Sequence, residues 1–131
     1  YSGDLSMDHA VLSRDIIQSD KYKLYFPEIE IRSDQNNKTD YKNMQTGRRY
    51  ATSVGGTIMG IHAHIIIIDD PLNTKQSLSE GDLPAAAAFV NTTISTRKVD
   101  KAVTLTIMVM QRLHALDPSG VWLRMKKDQG K

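Results

Sequence analysis

A chain of 131 residues, 40% apolar and 24% charged, is one ordinary globular domain's worth of sequence, too short for two full cores and too apolar for wholesale disorder. Its formal charge of +2 is too small to argue for nucleic acid by itself, and the absence of cysteine excludes disulfides and thiolate metal sites, as expected of a reducing cytoplasm. No apolar run approaches the length of a membrane span, and the amino terminus has no signal-peptide pattern.

Residues 1–4 read as the tail of a strand and a turn, so the chain starts in mid-element. Residues 6–25 predict one helix, with Met7/Val11 and Leu12/Ile16 as adjoining apolar stripes, Ser6 as N-cap and Pro27 marking the exit. Residues 28–32 alternate strictly, the mark of a short strand with one wet face, and 33–39 are polar and read as a loop. Residues 41–44 and 49–54 predict two strands joined by a turn at Gly47. Gly55, Gly56 and Gly60 then break the pattern, serving either tight turns or the close approach of a phosphate or a neighbouring subunit.

The strongest stretch is His64-Ile65-Ile66-Ile67-Ile68-Asp69-Asp70-Pro71. Four consecutive isoleucines predict a strand buried on both faces, as in a parallel sheet, and Pro71 stops it. Residues 73–79 read as a polar loop. A helix opens at 79–82, with Leu83, Ala87, Val90 and Ile94 on one apolar stripe, and ends near Arg97. Residues 103–109 predict a second strand. Strand, helix and strand in this order form a βαβ unit, whose two strands are parallel with their carboxyl ends side by side. Asp117-Pro118 predicts the cap and first residue of a last helix, packed through Val121, Trp122 and Met125.

That topology sets Asp69 and Asp70 beside Met110-Gln111-Arg112 at the end of a parallel sheet, where α/β proteins bind ligands. Paired acids closing an aliphatic strand suit phosphoryl transfer, which asks of protein mainly charge neutralisation and a positioned water. Asp69 would hold Mg²⁺, Asp70 would orient or deprotonate the water, and Gln111 would sense the terminal phosphate. Arg112 pairs either with phosphate or, without catalytic meaning, with Asp69, Asp70 or Asp117. His62 and His64 share a strand face and raise a metal-site alternative, but no third histidine sits at supporting spacing. Arg48-Arg49 beside Tyr50, and Arg124/Lys126/Lys127, are basic groups that either touch a phosphate backbone or are simply solvated. No Gly-x-x-x-x-Gly-Lys-Ser/Thr loop occurs, so a complete P-loop ATPase cannot be assembled from these residues alone.

Taken in order, Tyr50-Ala51-Thr52-Ser53-Val54-Gly55-Gly56-Thr57, Gly60, Ile65 through Pro71, Ser79-Glu80, Gln111-Arg112-Leu113-His114 and Asp117-x-x-Gly120 resemble the large terminase subunit of tailed phages and prophages. The resemblance covers residues 2–123. It implies a DNA-packaging motor in the cytoplasm of a bacterial host, acting with double-stranded DNA, the small terminase subunit and the portal of the procapsid. In such proteins a P-loop ATPase domain is followed by an RNase-H-like nuclease that cuts concatemeric DNA. Residues 1–131 would be the central part of one ATPase domain, with the phosphate loop upstream and the nuclease domain downstream both absent.

The implied fold is α/β: a partial P-loop NTPase core of the ASCE type, a mainly parallel sheet with flanking helices, lacking the phosphate-loop strand. On the resemblance, Asp69 is the magnesium-side Walker B acid and Asp70 the catalytic acid. Gln111 and Arg112 form the coupling segment that links hydrolysis to movement. ATP and Mg²⁺ are the parent's cofactors, with none expected on the chain alone. Many relatives have glutamate where Asp70 stands, and aspartate is shorter by one C–C bond, about 1.5 Å of reach. Ile61 stands where some relatives carry arginine, which leaves Arg48 or Arg49 to supply any arginine finger. The strand at 103–109 is left with an open apolar edge, which invites pairing with another copy. Two alternatives stand beside this. One is a piece of a helicase-like ATPase, whose Asp-Glu-x-His/Asp box Asp69-Asp70-Pro71-Leu72 does not offer; the other is a small α/β binding module with acidic strand ends.

Overall fold

The computed structural model describes residues 3–56 and 58–129. Two compact units divide the chain, Ser2–Ser53 and Val54–Lys131. The first begins with helices α1 (Gly3–Gln18) and α2 (Asp20–Tyr25). Tyr1 and Ser2 lie outside the described residues; Gly3 and Asp4 are helical, not a turn.

The single helix expected over 6–25 is broken at Ser19, whose backbone is extended (φ −67°, ψ 150°). Its Oγ accepts the Tyr22 N–H at 3.3 Å and donates to the Ile16 carbonyl at 2.7 Å. Serine followed by Asp20 is a start signal inside an otherwise helical pattern, and it wins over continuity. Ser6 is not a cap, since it sits within α1 and donates to the Thr52 carbonyl at 3.3 Å. Of the two adjoining stripes, Leu12/Ile16 is turned out and exposed while Met7/Val11 is half-buried; Ala10 is fully buried and Ser13 accepts a hydrogen bond from the buried Tyr41 at 3.0 Å. A small inward face lets the helix lie close to its neighbours.

Three antiparallel strands come next, in the order β1 (Ile31–Asn36), β2 (Asp40–Asn43), β3 (Arg48–Tyr50). The polar stretch read as a loop over 33–39 is largely strand, because backbone pairing with β2 needs no apolar side chain. Arg32 and Asp34, two apart on the same face, form a two-pronged pair at 3.0 and 2.8 Å. The turn at Gly47 is present, but the left-handed residue is Thr46 (φ 70°). Gly47 instead lets the Asn43 side chain close in; its N–H donates to Asn43 Oδ1 at 2.6 Å.

The second unit carries β4 (Ile65–Asp69) and β5 (Leu105–Val109), paired in parallel from Ile65↔Leu105 to Asp69↔Val109. The βαβ expectation holds in this pairing. Between them lie α3 (Thr74–Ser77) and α4 (Asp82–Ala88). The expected loop at 73–79 thus holds a short helix, closed by a reciprocal cap between Asn73 and Gln76 at 2.9 and 3.1 Å. Helix α4 continues into a wide turn, Phe89–Thr93, where the Ile94 N–H reaches back to the Phe89 carbonyl, and then a tight one, Ile94–Arg97. Through these changes of pitch the predicted stripe of Leu83, Ala87, Val90 and Ile94 stays buried, and Leu72, Leu83 and Ala86 form a core cluster with Val54 against it. Helix α5 (Pro118–Gln129) closes the unit.

Two expectations are corrected by this topology. Among the described residues the strands do not form one mainly parallel sheet: β4 and β5 are parallel, and the other three strands form a separate antiparallel sheet. Nor is β4 buried on both faces. Ile68 is 8% exposed, but Ile65 and Ile67 are 61% and 67% exposed, and Leu105, Ile107 and Val109 of β5 share that openness. A run of identical side chains has no alternation to tell which face is covered. The architecture is mixed α/β with a small parallel sheet and flanking helices. Among the described residues β5 pairs with β4 alone, and no helix is long and apolar enough to cross a membrane.

Candidate functional site

The residues just after β4 shape its tip. Asp69 ends the strand, exposed, on the side of Ile65 and Ile67. Pro71 and Leu72 are buried, so the chain must turn inward within two residues. Asp70 makes that turn at φ +40°, a left-handed conformation costly to any residue with a Cβ. Its N–H still donates to the Val109 carbonyl at 2.8 Å, extending the parallel ladder one residue past the strand. The two acids therefore sit beside the exit of β5, where Met110 is half-buried and Gln111 and Arg112 are exposed. Among the described residues Arg112 forms no ion pair, so the salt bridge to Asp69, Asp70 or Asp117 is not made.

Beyond Arg112 the chain is tied tightly. Asp117 is fully buried and accepts four hydrogen bonds. Its Oδ2 takes the N–H groups of Leu113 (2.9 Å) and His114 (3.1 Å), and its Oδ1 takes the Ser119 hydroxyl and the Gly120 N–H, both at 2.7 Å. Burial pushes the carboxyl up, but the donors Gly120, His114, Ser119 and Leu113 outweigh it and hold Asp117 below the usual carboxylate range. Gly120 is required on steric grounds, because a Cβ there would lie 2.3 Å from the Ala115 carbonyl oxygen. That oxygen also accepts from Arg124 Nη1 at 3.1 Å, and the Leu116 N–H donates to His114 Nδ1 at 3.0 Å. The predicted helix cap at Asp117 is present; its second grip, on residues 113 and 114, was missed. The Asp-x-x-Gly spacing three residues after a Leu-His pair was the available signal.

The remaining sequence candidates separate. Gly55 (φ 81°) and Gly60 (φ 75°) take the left-handed conformation that suits a tight turn, and a Cβ at either would meet open space. His62 and His64 are exposed, and no group of three metal-capable side chains forms among the described residues. Arg48 and Arg49 point to opposite faces of β3. Arg48 clasps both Asp40 oxygens at 2.7 Å and lies 5.5 Å from the Tyr50 ring centroid. Its hydrogen bonds hold the Asp40 carboxyl below the usual range despite partial burial. Arg49 is half-buried, and its Nη1 is enclosed with no hydrogen-bond partner among the described residues.

A cavity of about 580 Å³ lies away from the strand tips, between the start of α4 and α5, walled by Leu83, Ala87, Leu116 and Val121, with Glu80 and His114 at its polar margin. For Mg²⁺ the test is donor chemistry. Asp69 offers an exposed hard oxygen ligand, and Mg²⁺ at nucleotide sites takes only one or two carboxylates, the rest coming from water and phosphate. The tip fits that role and not a self-sufficient metal cage. Comparison with known protein families, curated proteins and solved structures finds no match to the chain.

Proposed function

We propose that this chain is a section of the ATPase domain of a phage or prophage DNA-packaging motor, similar to the large terminase subunit. The observation that carries the reading is the parallel register that brings Asp69 and the strained Asp70 to the exit of β5. Asp69 would hold Mg²⁺, which would neutralise charge on the phosphates, and Asp70, turned off the strand axis by its left-handed backbone, would orient the attacking water. Gln111 contacts the terminal phosphate, and Arg112, which forms no ion pair among the described residues, offsets charge that develops there. ATP, double-stranded DNA, the small terminase subunit and the portal are the parent's ligand and partners, met in the bacterial cytoplasm.

The phosphates themselves need a cradle that these residues do not contain, so the chain alone is expected to show no ATP turnover. The test is the open reading frame that encodes it. A Gly-Lys-Ser/Thr loop some tens of residues upstream, and Mg²⁺-dependent ATP hydrolysis by the protein that carries it, abolished by Asp69→Asn and by Asp70→Asn, support the motor. Hydrolysis by residues 1–131 alone, or by the longer protein with both acids replaced, overturns it. The cavity beside α5 favours a second reading, a binding module, and an upstream sequence without any such loop would support that instead.

A further inference from the structure

We infer that Asp117 is a positioning residue: it locks the segment that leaves β5, carrying Gln111 and Arg112, to the first turn of α5, so that the two move as one piece. The inference rests on the reading of the strand tips as a nucleotide–metal site. Its structural half, however, stands on geometry alone.

A helix cap needs only the bonds to Ser119 and Gly120. Asp117 spends its other oxygen on the N–H groups of Leu113 and His114, which belong to the stretch after Arg112 and not to the helix. The carboxylate thus bridges two backbone segments, with no exposure to water. Three further contacts close the same knot. The Asp117 N–H donates to the His114 carbonyl at 3.3 Å, Arg124, nearly two turns into α5, holds the Ala115 carbonyl, and Gly120 lets that carbonyl seat against the helix start.

Because Gln111 and Arg112 are exposed and make no hydrogen bond or ion pair among the described residues, their place relative to Asp69 is set from their two flanks. On one side is the β5 ladder, which ends with the Asp70 N–H on Val109. On the other is the Asp117 clamp, which begins at Leu113. A segment held at both ends transmits displacement. A shift of Gln111 or Arg112 on meeting a phosphate therefore pulls on α5, and a push on α5 withdraws them.

Asp117→Asn separates the two duties, since one oxygen can still cap Gly120 while the amide group cannot accept from Leu113 or His114. Amide hydrogen exchange at these two residues is expected to quicken about tenfold or more, with β4 amides such as Ile66 and Ile68 unchanged. Mn²⁺ in millimolar excess, a paramagnetic probe that reports even the weak, short-lived binding to be had without phosphates, is expected to broaden the resonances of Asp69, Asp70, Gln111 and Arg112 in the unaltered chain. In Asp117→Asn it should still broaden Asp69 and Asp70, with the broadening at Gln111 and Arg112 at least halved. If the variant does not fold, the unaltered chain decides: His114, an exposed residue, should keep an amide far better protected than that of Arg112. Equal exchange at His114 and Arg112, or a variant whose exchange and broadening at 111–114 match the parent, overturns the inference. Absence of broadening at Asp69 and Asp70 in the unaltered chain overturns the metal reading, while the exchange data still judge the clamp.

Discussion

Asp69 and Asp117 flank the same stretch of chain and are spent in opposite ways. Asp117 has no exposure and gives both oxygens to four backbone and hydroxyl donors. Asp69 is exposed at the end of a strand, and its neighbour Asp70 takes a strained backbone to leave the sheet. A carboxylate consumed by the fold stabilises and has nothing left to offer a ligand. One left outside contributes little to stability and keeps its charge available. The difference between them is a practical way to tell structural acids from chemical ones in a chain of this kind.

The largest expected effect breaks the tight side of that contrast. Gly120→Ala would ordinarily favour a helix by about 1 kcal/mol. Here the added Cβ meets a backbone oxygen at 2.3 Å, so a loss of stability is expected, about 3 kcal/mol or more, read from urea unfolding midpoints. Asp117→Asn comes next, at about 2–3 kcal/mol. It also predicts a pH signature. The folded carboxyl lies below its unfolded value, so its stabilisation is present above about pH 4 and is lost as pH falls through the folded value. Unfolding midpoints measured between neutral and acid pH should therefore drop less steeply in Asp117→Asn than in the parent.

Asp40 is the intermediate case, a half-exposed acid held by Arg48. Arg48→Ala removes its two hydrogen bonds and the contact with Tyr50, and the expected cost is at most about 1 kcal/mol in thermal unfolding. Asp69→Asn is the smallest in stability, within about 0.5 kcal/mol of the parent. That near-zero value sharpens the comparison only if Mn²⁺ broadening at the strand tip disappears with it. A large stability loss in Asp69→Asn would place this acid with Asp117 as part of the scaffold.

Much of the second unit was legible because its signals are local and periodic. The isoleucine run, the four-residue stripe of α4 and the Asp-Pro start of α5 each name an element, and their order alone makes β4 and β5 parallel. The illegible parts depend on how short neighbouring segments fold back on one another. Residues 33–36 carry no apolar pattern and become strand only by pairing with β2. Ser19 could continue a helix or cap a new one, and only the folded backbone decides. The exposed face of β4 was hidden for the opposite reason, since four identical residues look alike on either side. At the site, adjacency of the strand tips followed from topology. The grip of Asp117 on Leu113 and His114 required knowing that the chain doubles back.

The bare aliphatic face of β4 and β5 also sets how this protein behaves on the bench. Contacts made by aliphatic surface near room temperature are driven by released water and weaken on cooling. Whatever settles on Ile65, Ile67, Leu105, Ile107 and Val109, a second copy included, will therefore hold more firmly in a warm sample than in a chilled one. Sedimentation compared at two temperatures reads that directly, and storage on ice is the simple remedy for turbidity.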